Sequence, residues 1–160
     1  MDNTKKKQIY FIASDHAGFE MKELIKEYIQ TTYKDTIDLT DMGCDSITSV
    51  DYPDYAEKAC KEIVKNESNK GILICGSGIG ISMAANKFKG IRCALCHDYL
   101  TAKLSREHND ANVVAFGGRI VGSEVAKSII DGFFTGSFST ESKHHRRVEK
   151  IGELLNKYGK

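Results

Sequence analysis

The chain has 160 residues, of which 41% are hydrophobic and 28% charged, and its formal net charge is +1 at pH 7. These values predict one globular domain, residues 1–160, with a core large enough to need neither disulfides nor a metal ion. The nearly neutral charge excludes a general electrostatic attraction to nucleic acid, so local charges must hold any anionic ligand. No apolar run approaches the roughly 18 residues that a membrane span needs.

The N-terminus and the cysteines favour a cytoplasmic location. Residues 1–7 are rich in lysine and lead directly into an apolar run without a signal-peptide cleavage site. We expect them to form a flexible, solvated arm. Five cysteines are an odd set, which favours reduced thiols over a disulfide framework.

Short apolar runs alternate along the chain with segments of helical periodicity. Helices are predicted where apolar side chains recur at three- and four-residue steps. Pro53, the only proline, suits the first turn of a helix, and Asp98 is a predicted helix N-cap. In chain order the predicted elements are a strand at 8–13, a helix around 21–29, a strand at 37–41, a helix at 53–64, a strand at 71–75, a helix at 81–88, a strand at 91–96, a helix ending near 107, a strand at 112–116, a helix at 123–134, a loop at 136–142 and, after a basic segment beginning at 143, a last helix at 147–158.

Five strands separated by helices predict a Rossmann-like α/β fold, with a mostly parallel sheet between two helical layers in an α/β/α sandwich. Ligands of such sheets bind beyond the carboxyl ends of the strands. Polar residues should therefore cluster directly after the strands. They do so at four places: 14–16, 75–77, 97–98 and 117–119.

The strongest local motif is the glycine-rich loop Cys75-Gly76-Ser77-Gly78-Ile79-Gly80 between a predicted strand and helix. A nucleotide-binding P-loop would need Lys-Ser or Lys-Thr after the last glycine, and Ile81-Ser82 stands there instead. A dinucleotide-binding fingerprint needs two residues between its second and third glycines, and only Ile79 is present. A loop whose backbone N–H groups bind an oxyanion fits best.

Cys75 begins this loop and has two interpretations. A cysteine at the end of a strand is often only a small buried apolar residue. A helix N-terminus and a run of amides also favour the thiolate form. A thiolate there could take a proton from a carbon next to a carbonyl, while the loop amides stabilise the resulting enediolate.

Two further polar pairs have both structural and functional interpretations. Asp15, next to His16, could cap a helix that begins near Ala17 or could serve a site. His108, next to Asn109, could be a favourable partner of a helix C-terminus or a catalytic group.

Two other charged or metal-binding patterns are less specific. The run Lys143-His144-His145-Arg146-Arg147 is either a solvated basic face or a phosphate-binding clamp. Cys93 and Cys96 have the spacing of half a zinc site but lack a second pair of ligands at matching distance. Strand alternation explains those two cysteines better, and no metal is expected.

Six short motifs, in this order, carry a family resemblance. They are Ser14-Asp15-His16-Ala17-Gly18, Asp51-Tyr52-Pro53, Ile74 to Gly80, Ala84 with Asn86-Lys87, Arg106 to Asn112, and Gly117-Gly118-Arg119. Together they closely resemble the type B ribose-5-phosphate isomerases, from about residue 9 to 151. The wider family includes allose-6-phosphate isomerase and the paired subunits of galactose-6-phosphate isomerase.

The resemblance implies a cofactor-independent enzyme of the pentose phosphate pathway that interconverts ribose 5-phosphate and ribulose 5-phosphate. It implies a homodimer, sometimes a tetramer, with active sites built by both subunits. Cys75 would move the proton between C1 and C2 through a cis-enediolate, and His108 would open the furanose ring with the help of Asp15. The other implied site residues are Gly76, Ser77, Gly78, Ile79 and Gly80 for the anion hole, His16, Tyr52 and Asn109 for the sugar, and Arg119 and Arg147 for the phosphate.

One departure from the family pattern concerns the phosphate. Lys143 stands where relatives carry the first arginine of Arg-His-x-x-Arg. Lysine keeps the positive charge but lacks the planar guanidinium group that binds phosphate with two hydrogen bonds. The open alternatives are an allose-6-phosphate isomerase, a catalytically silent sugar-phosphate-binding subunit, and a doubly wound signalling or nucleotide-binding module. The intact Cys75, Asp15 and His108 oppose the silent subunit, and the defective nucleotide motifs oppose the module.

Overall fold

The computed structural model describes residues 6–159, and most of the predicted N-terminal arm, residues 1–5, lies outside them. The strands are β1 Gln8–Ser14, β2 Ile37–Asp41, β3 Lys70–Cys75, β4 Cys93–Leu95 and β5 Val113–Gly117. The helices are α1 Phe19–Thr32, α2 Tyr52–Ile63, α3 Ile79–Ala85, α4 Tyr99–Asn109, α5 Ser123–Thr135 and α6 Ser142–Tyr158.

The five strands form one sheet in the order β2-β1-β3-β5-β4, and every neighbouring pair is parallel. The predicted α/β fold is therefore confirmed. Each connection returns through a helix because parallel strands need a crossover. The central strands β3 and β5 are buried on both sides, which explains their continuous apolar sequences.

Helices cover both faces of the sheet and bury a separate apolar cluster on each. On one face Ile25 and Ile29 of α1 pack with Ile129 and Phe133 of α5 and with Ala102 of α4. On the other face α2 and α3 pack against alternate side chains of the same strands. The three-layer arrangement leaves the two ends of the strands as the places where polar loops gather.

Several element boundaries differ from the sequence predictions. The last helix begins at Ser142 rather than 147, so the basic segment is helical. α3 ends at Ala85 because the Asn86 amide pairs with the backbone of Cys93, with Nδ2 donating to the carbonyl at 2.9 Å and Oδ1 accepting from the N–H at 2.8 Å. β4 is an edge strand of three residues rather than six. The predicted N-cap is confirmed, since Asp98 Oδ1 accepts from Thr101 N at 2.7 Å.

The direction of the chain assigns each loop to one edge of the sheet. Cys75 ends β3 and is paired with Gly117, which ends β5, so both mark the carboxyl edge. Asn112 precedes β5 and its carbonyl accepts from Gly71 near the start of β3, so it marks the amino edge. The six residues of β3 separate the two edges by roughly 17 Å. Within residues 6–159 no helix is long and apolar enough to span a bilayer.

Candidate active site

The glycine-rich loop folds over the sulfur of Cys75 at the carboxyl edge. Cys75 is 3% exposed, and the backbone N–H of Gly78 donates to its Sγ at 3.1 Å. It is the one cysteine sulfur in residues 6–159 that accepts a backbone N–H hydrogen bond. An amide dipole aimed at sulfur stabilises the thiolate, which is the nucleophilic and basic form of cysteine.

Gly78 has the conformation that closes this loop. Its φ is +79°, which favours glycine, and a Cβ there would lie 2.6 Å from the backbone carbon of Phe116. The next residue, Ile79, begins α3, and its N–H is bonded to the Ser77 hydroxyl oxygen at 3.2 Å. The ring of Tyr52 lies against Gly80, where a Cβ would come within 2.5 Å of the ring. The loop and Tyr52 thus form one wall of the site.

The segment after β1 lies beside this loop. The N–H of Asp15 donates to the Ile74 carbonyl at 3.2 Å, which sets Asp15 next to the end of β3. Asp15 is not the N-cap residue of α1, because that helix begins at Phe19 with Gly18 as its N-cap, two residues later than the interpretation of Asp15 as a cap required. Its carboxylate still accepts the N–H three residues on, that of Gly18, at 2.9 Å, and so caps the turn that precedes α1. Asp15 is therefore fixed, and it is 5% exposed at the edge of the sheet.

His16 joins the site to the loop before α2. Its Nδ1 lies 3.2 Å from both the backbone nitrogen and the carbonyl oxygen of Val50. This contact fixes the imidazole ring and ties down the segment that leads to Tyr52.

Arg119 completes the group at the carboxyl edge. The N–H of Gly118 donates to the Cys75 carbonyl at 2.8 Å, and that of Arg119 donates to the Gly76 carbonyl at 3.1 Å. The exposed Arg119 side chain lies beside Gly76, 3.7 Å from where a Cβ would be. An open cavity of about 440 Å³ lies between Arg119 and His16. A guanidinium group beside an exposed cavity can bind an anion.

The remaining residues of the predicted site lie at the other edge of the sheet. His108 and Asn109 end α4, which runs back from the carboxyl edge to the amino edge, where Asn112 begins the return into β5. Lys143 and Arg147 lie on the first turns of α6 and are exposed. Lys143 Nζ pairs with Glu141 Oε2 at 2.6 Å. One chain therefore does not bring His108 to Cys75.

Sequence reasoning missed His144, which it treated only as part of the basic run. His144 is 6% exposed, and its ring stacks on His108 with a centroid distance of 4.2 Å and an interplanar angle of 6°. The signal available in the sequence was its spacing of four residues from Val148, on one face of a helix beginning at Ser142.

The other cysteines lack the environment of Cys75. Burial raises the pKa of Cys60 to about 12 and the pKa of Cys96 to about 11. Burial also raises the pKa of Cys93, and the neighbouring thiols add to that shift. These three thiols stay protonated at neutral pH. Among residues 6–159 no three His, Cys, Asp or Glu side chains are grouped to hold a metal ion.

Comparison with known proteins assigns the family. The model of the ribose/galactose isomerase family matches residues 10–151. A putative sugar phosphate isomerase of Bacillus subtilis, YwlF, is 47% identical over 147 residues, covering 91% of this chain and 96% of that protein. Ribose-5-phosphate isomerase B of Escherichia coli is 43% identical over 137 residues, covering 86% and 89% of the two chains.

Solved structures agree with this assignment. The chain superimposes on ribose-5-phosphate isomerase B of Clostridium thermocellum with a TM-score of 0.88 and 41% identity, covering 94% of this chain and 99% of the other. The type B ribose 5-phosphate isomerase of Trypanosoma brucei gives a TM-score of 0.88 and 42% identity, with coverage of 93% and 99%. The protein described here belongs to the ribose/galactose isomerase family.

Proposed function

We propose that this protein interconverts D-ribose 5-phosphate and D-ribulose 5-phosphate by acid–base catalysis. The observation that carries the proposal is the buried Cys75 sulfur, which accepts the Gly78 N–H inside a loop of further amides. Relatives of 43% and 41% identity that cover most of the chain bear the name ribose-5-phosphate isomerase B, which supports this substrate over other sugar phosphates.

The proposed proton transfer takes place between neighbouring carbons of the open-chain sugar. The Cys75 thiolate removes the proton from C2 of the aldose, and the electron pair of that C–H bond moves through C1 to the aldehyde oxygen, which gives a cis-enediolate with its negative charge on O1. A proton then moves from the C2 hydroxyl to O1. The Cys75 thiol returns its proton to C1, so that C2 becomes the ketone and the thiolate is regenerated. The amides of residues 76–80 stabilise the negative oxygen where it develops, as preorganised donors do in other enolising enzymes.

Ring opening and phosphate binding require groups beyond the thiol. We assign opening of the furanose ring to His108, with the Asp15 carboxylate as a second proton-transfer group. His16, Tyr52 and Asn109 would line the sugar, and Arg119 and Arg147 would bind the phosphate. Lys143 would contribute charge without bidentate geometry.

The positions of these residues favour a site shared by two chains. Cys75 and His108 lie at opposite edges of the sheet, so the His108 that serves one Cys75 would come from a second copy. The exposed apolar side chains of α6 offer a surface for that copy, Ile151 and Leu154 among them. They line a cleft of about 800 Å³ between α6 and the segment from Gly90 to Ala94. We therefore propose a homodimer, or a tetramer built from two such dimers, that acts on a small sugar phosphate in the cytoplasm.

A direct assay tests this function. Purified protein, treated with a chelator, is incubated with ribose 5-phosphate, and formation of ribulose 5-phosphate is followed, with allose 6-phosphate assayed in parallel. The proposal predicts turnover of the pentose without added metal or nucleotide. Turnover of the hexose alone would make the protein an allose-6-phosphate isomerase. Turnover of neither sugar would contradict the proposal and favour a silent subunit.

A further inference from the structure

His144 provides a flat, buried surface against the ring of His108. The two imidazoles are nearly parallel, with 6° between their planes and 4.2 Å between their centroids. His144 is 6% exposed although it lies in a segment whose neighbours Lys143 and His145 are exposed. The tertiary contact with α4, and not the local sequence, therefore sets its environment.

The contact uses the faces of the rings and leaves their edges available. Within residues 6–159, neither the His108 ring nor the His144 ring has a hydrogen bond from a ring nitrogen. The ring nitrogens of His108 thus remain available to a ligand, while its orientation is restricted by the face of His144. Restricting a reactive ring in this way lowers the entropy cost of reaching a productive geometry.

The segment that carries His144 is itself tied to the end of α4. The Ser139 N–H donates to the carbonyl of Glu107, the residue before His108, at 2.9 Å. His145 Nε2 lies 2.8 Å from the Ser139 carbonyl oxygen, and the His144 N–H donates to the Glu141 carbonyl at 3.0 Å. These bonds connect both sides of the stacked pair into one unit.

The charge state of His144 suits this arrangement. Burial lowers the pKa of His144, and the neighbouring His108 and Lys143 act in the same direction, while Glu141 opposes them. Arg147, one turn further along α6, also lowers this pKa. A lowered pKa favours the neutral ring of His144, which suits the stacking of its face on His108.

We propose that His144 is a positioning residue, which holds the His108 ring by stacking so that its free edge meets the ring oxygen or the anomeric hydroxyl of the furanose. This proposal rests on the proposed role of His108 in ring opening. It assigns no contact with the reacting carbons to His144, so loss of its ring should impair ring opening and spare the proton transfer at Cys75.

Two reactions separate these effects. Isomerisation of ribose 5-phosphate requires ring opening, whereas exchange of deuterium from D2O into C1 of ribulose 5-phosphate, an open-chain ketose, requires only the enediolate. We expect His144→Ala to lower kcat for isomerisation by about 100-fold, as for a misplaced catalytic group. We expect its exchange rate to stay within about twofold of the wild-type rate, since Cys75 is untouched.

Three variants complete the test. His144→Phe retains a flat ring without a titratable nitrogen and should recover most of the isomerisation rate. This variant also provides a test of the role of the ring if His144→Ala does not fold. Glu149→Ala, an exposed change on the same helix, should leave both reactions unchanged. Combining His144→Ala with His108→Asn should lower isomerisation no further than His108→Asn alone.

Other outcomes overturn the proposal. Any of four results would contradict a positioning role: isomerisation by His144→Ala at the wild-type rate, equal losses in isomerisation and exchange, no recovery with His144→Phe, or additive losses in the double variant. A wild-type protein that does not isomerise ribose 5-phosphate would instead overturn the function on which this inference rests.

Discussion

Cys75 and His108 lie at opposite edges of the same parallel sheet, one at the end of β3 and the other at the end of α4. β3 runs toward the carboxyl edge, and α4, which follows β4, runs in the reverse direction to the amino edge. The eleven residues of α4 span about 16 Å, close to the length of β3. No side-chain rotation bridges that separation, so a reaction that uses both groups requires a second chain.

The first prediction concerns the base. Cys75→Ser should lower isomerisation by roughly 100- to 10,000-fold, because a serine hydroxyl is a far weaker base in the same position. It should also stop exchange of deuterium into ribulose 5-phosphate, while binding of a sugar-phosphate inhibitor, measured by calorimetry, is retained. Cys93→Ser is the matched control, and similar losses in both variants would contradict the role of Cys75.

The second prediction concerns the backbone of the glycine-rich loop. Gly78→Ala should reduce activity strongly, since its φ of +79° and a Cβ contact of 2.6 Å with Phe116 would force the loop away from the Cys75 sulfur. Gly90 has a similar φ of +87°, but a Cβ there would meet only Val64, at 3.8 Å. Gly90→Ala should therefore lower the free energy of unfolding by about 1–2 kcal/mol, and the variant should retain its activity. Equal activity in the two variants would show that the loop geometry is not needed.

The third prediction concerns a buried lysine behind the site. Lys22 is fully buried, and its Nζ donates to Asp41 Oδ2 at 2.6 Å. Asp41 Oδ1 in turn accepts from the Gly43 N–H at 2.9 Å, and the carbonyl of Gly43 accepts from Ser14 at the end of β1. Asp41→Asn should lower the free energy of unfolding by roughly 2–3 kcal/mol, because it leaves a buried charge poorly paired. Asp38→Asn, an exposed change on the same strand, should be nearly neutral in urea unfolding.

The same carboxylate gives a pH dependence. Burial raises the pKa of Asp41, but hydrogen bonds from Lys22, Lys26 and Gly43 outweigh burial, and its net pKa lies below the ordinary value. A carboxylate whose pKa is lowered by folding contributes its full stabilisation above its unfolded pKa of about 4. This contribution is lost as the pH falls through the pKa of the folded state. Urea midpoints measured between about pH 5 and pH 3 should therefore fall more steeply for the wild type than for Asp41→Asn. If the urea midpoints of the two proteins fell equally with pH, the ion pairs of Asp41 would not contribute to the pH dependence of stability.

The sequence was most informative where the structure of an element depends on residues within that element. The apolar runs predicted all five strands, and Asp98 was recognised as an N-cap because its bond to Thr101 is local. The start of α6 was missed because residues 143–147 are polar throughout, so that the spacing of His144 from Val148 is the sole sign in the sequence of which side faces inward. The burial of Lys22 has no local signal in the sequence, since it depends on Asp41 from another element.

The site was predictable as a set of residues but not as an arrangement. The motifs named Cys75, Asp15, Arg119 and His108 without showing that α4 carries the histidine to the far edge of the sheet. That separation follows from the strand order and the direction of each element, which no local pattern contains.

Complementation between two inactive variants tests the shared site most directly. Cys75→Ser and His108→Asn chains, coexpressed with different tags and purified as a mixed dimer, should regain about half of the wild-type kcat per dimer, since one of the two sites then has both groups intact. A mixed dimer of wild-type chain with a chain carrying both substitutions should be inactive, because each site lacks one group. The reverse pattern, with the first mixed dimer inactive and the second half-active, would place the whole site within one chain and contradict the account.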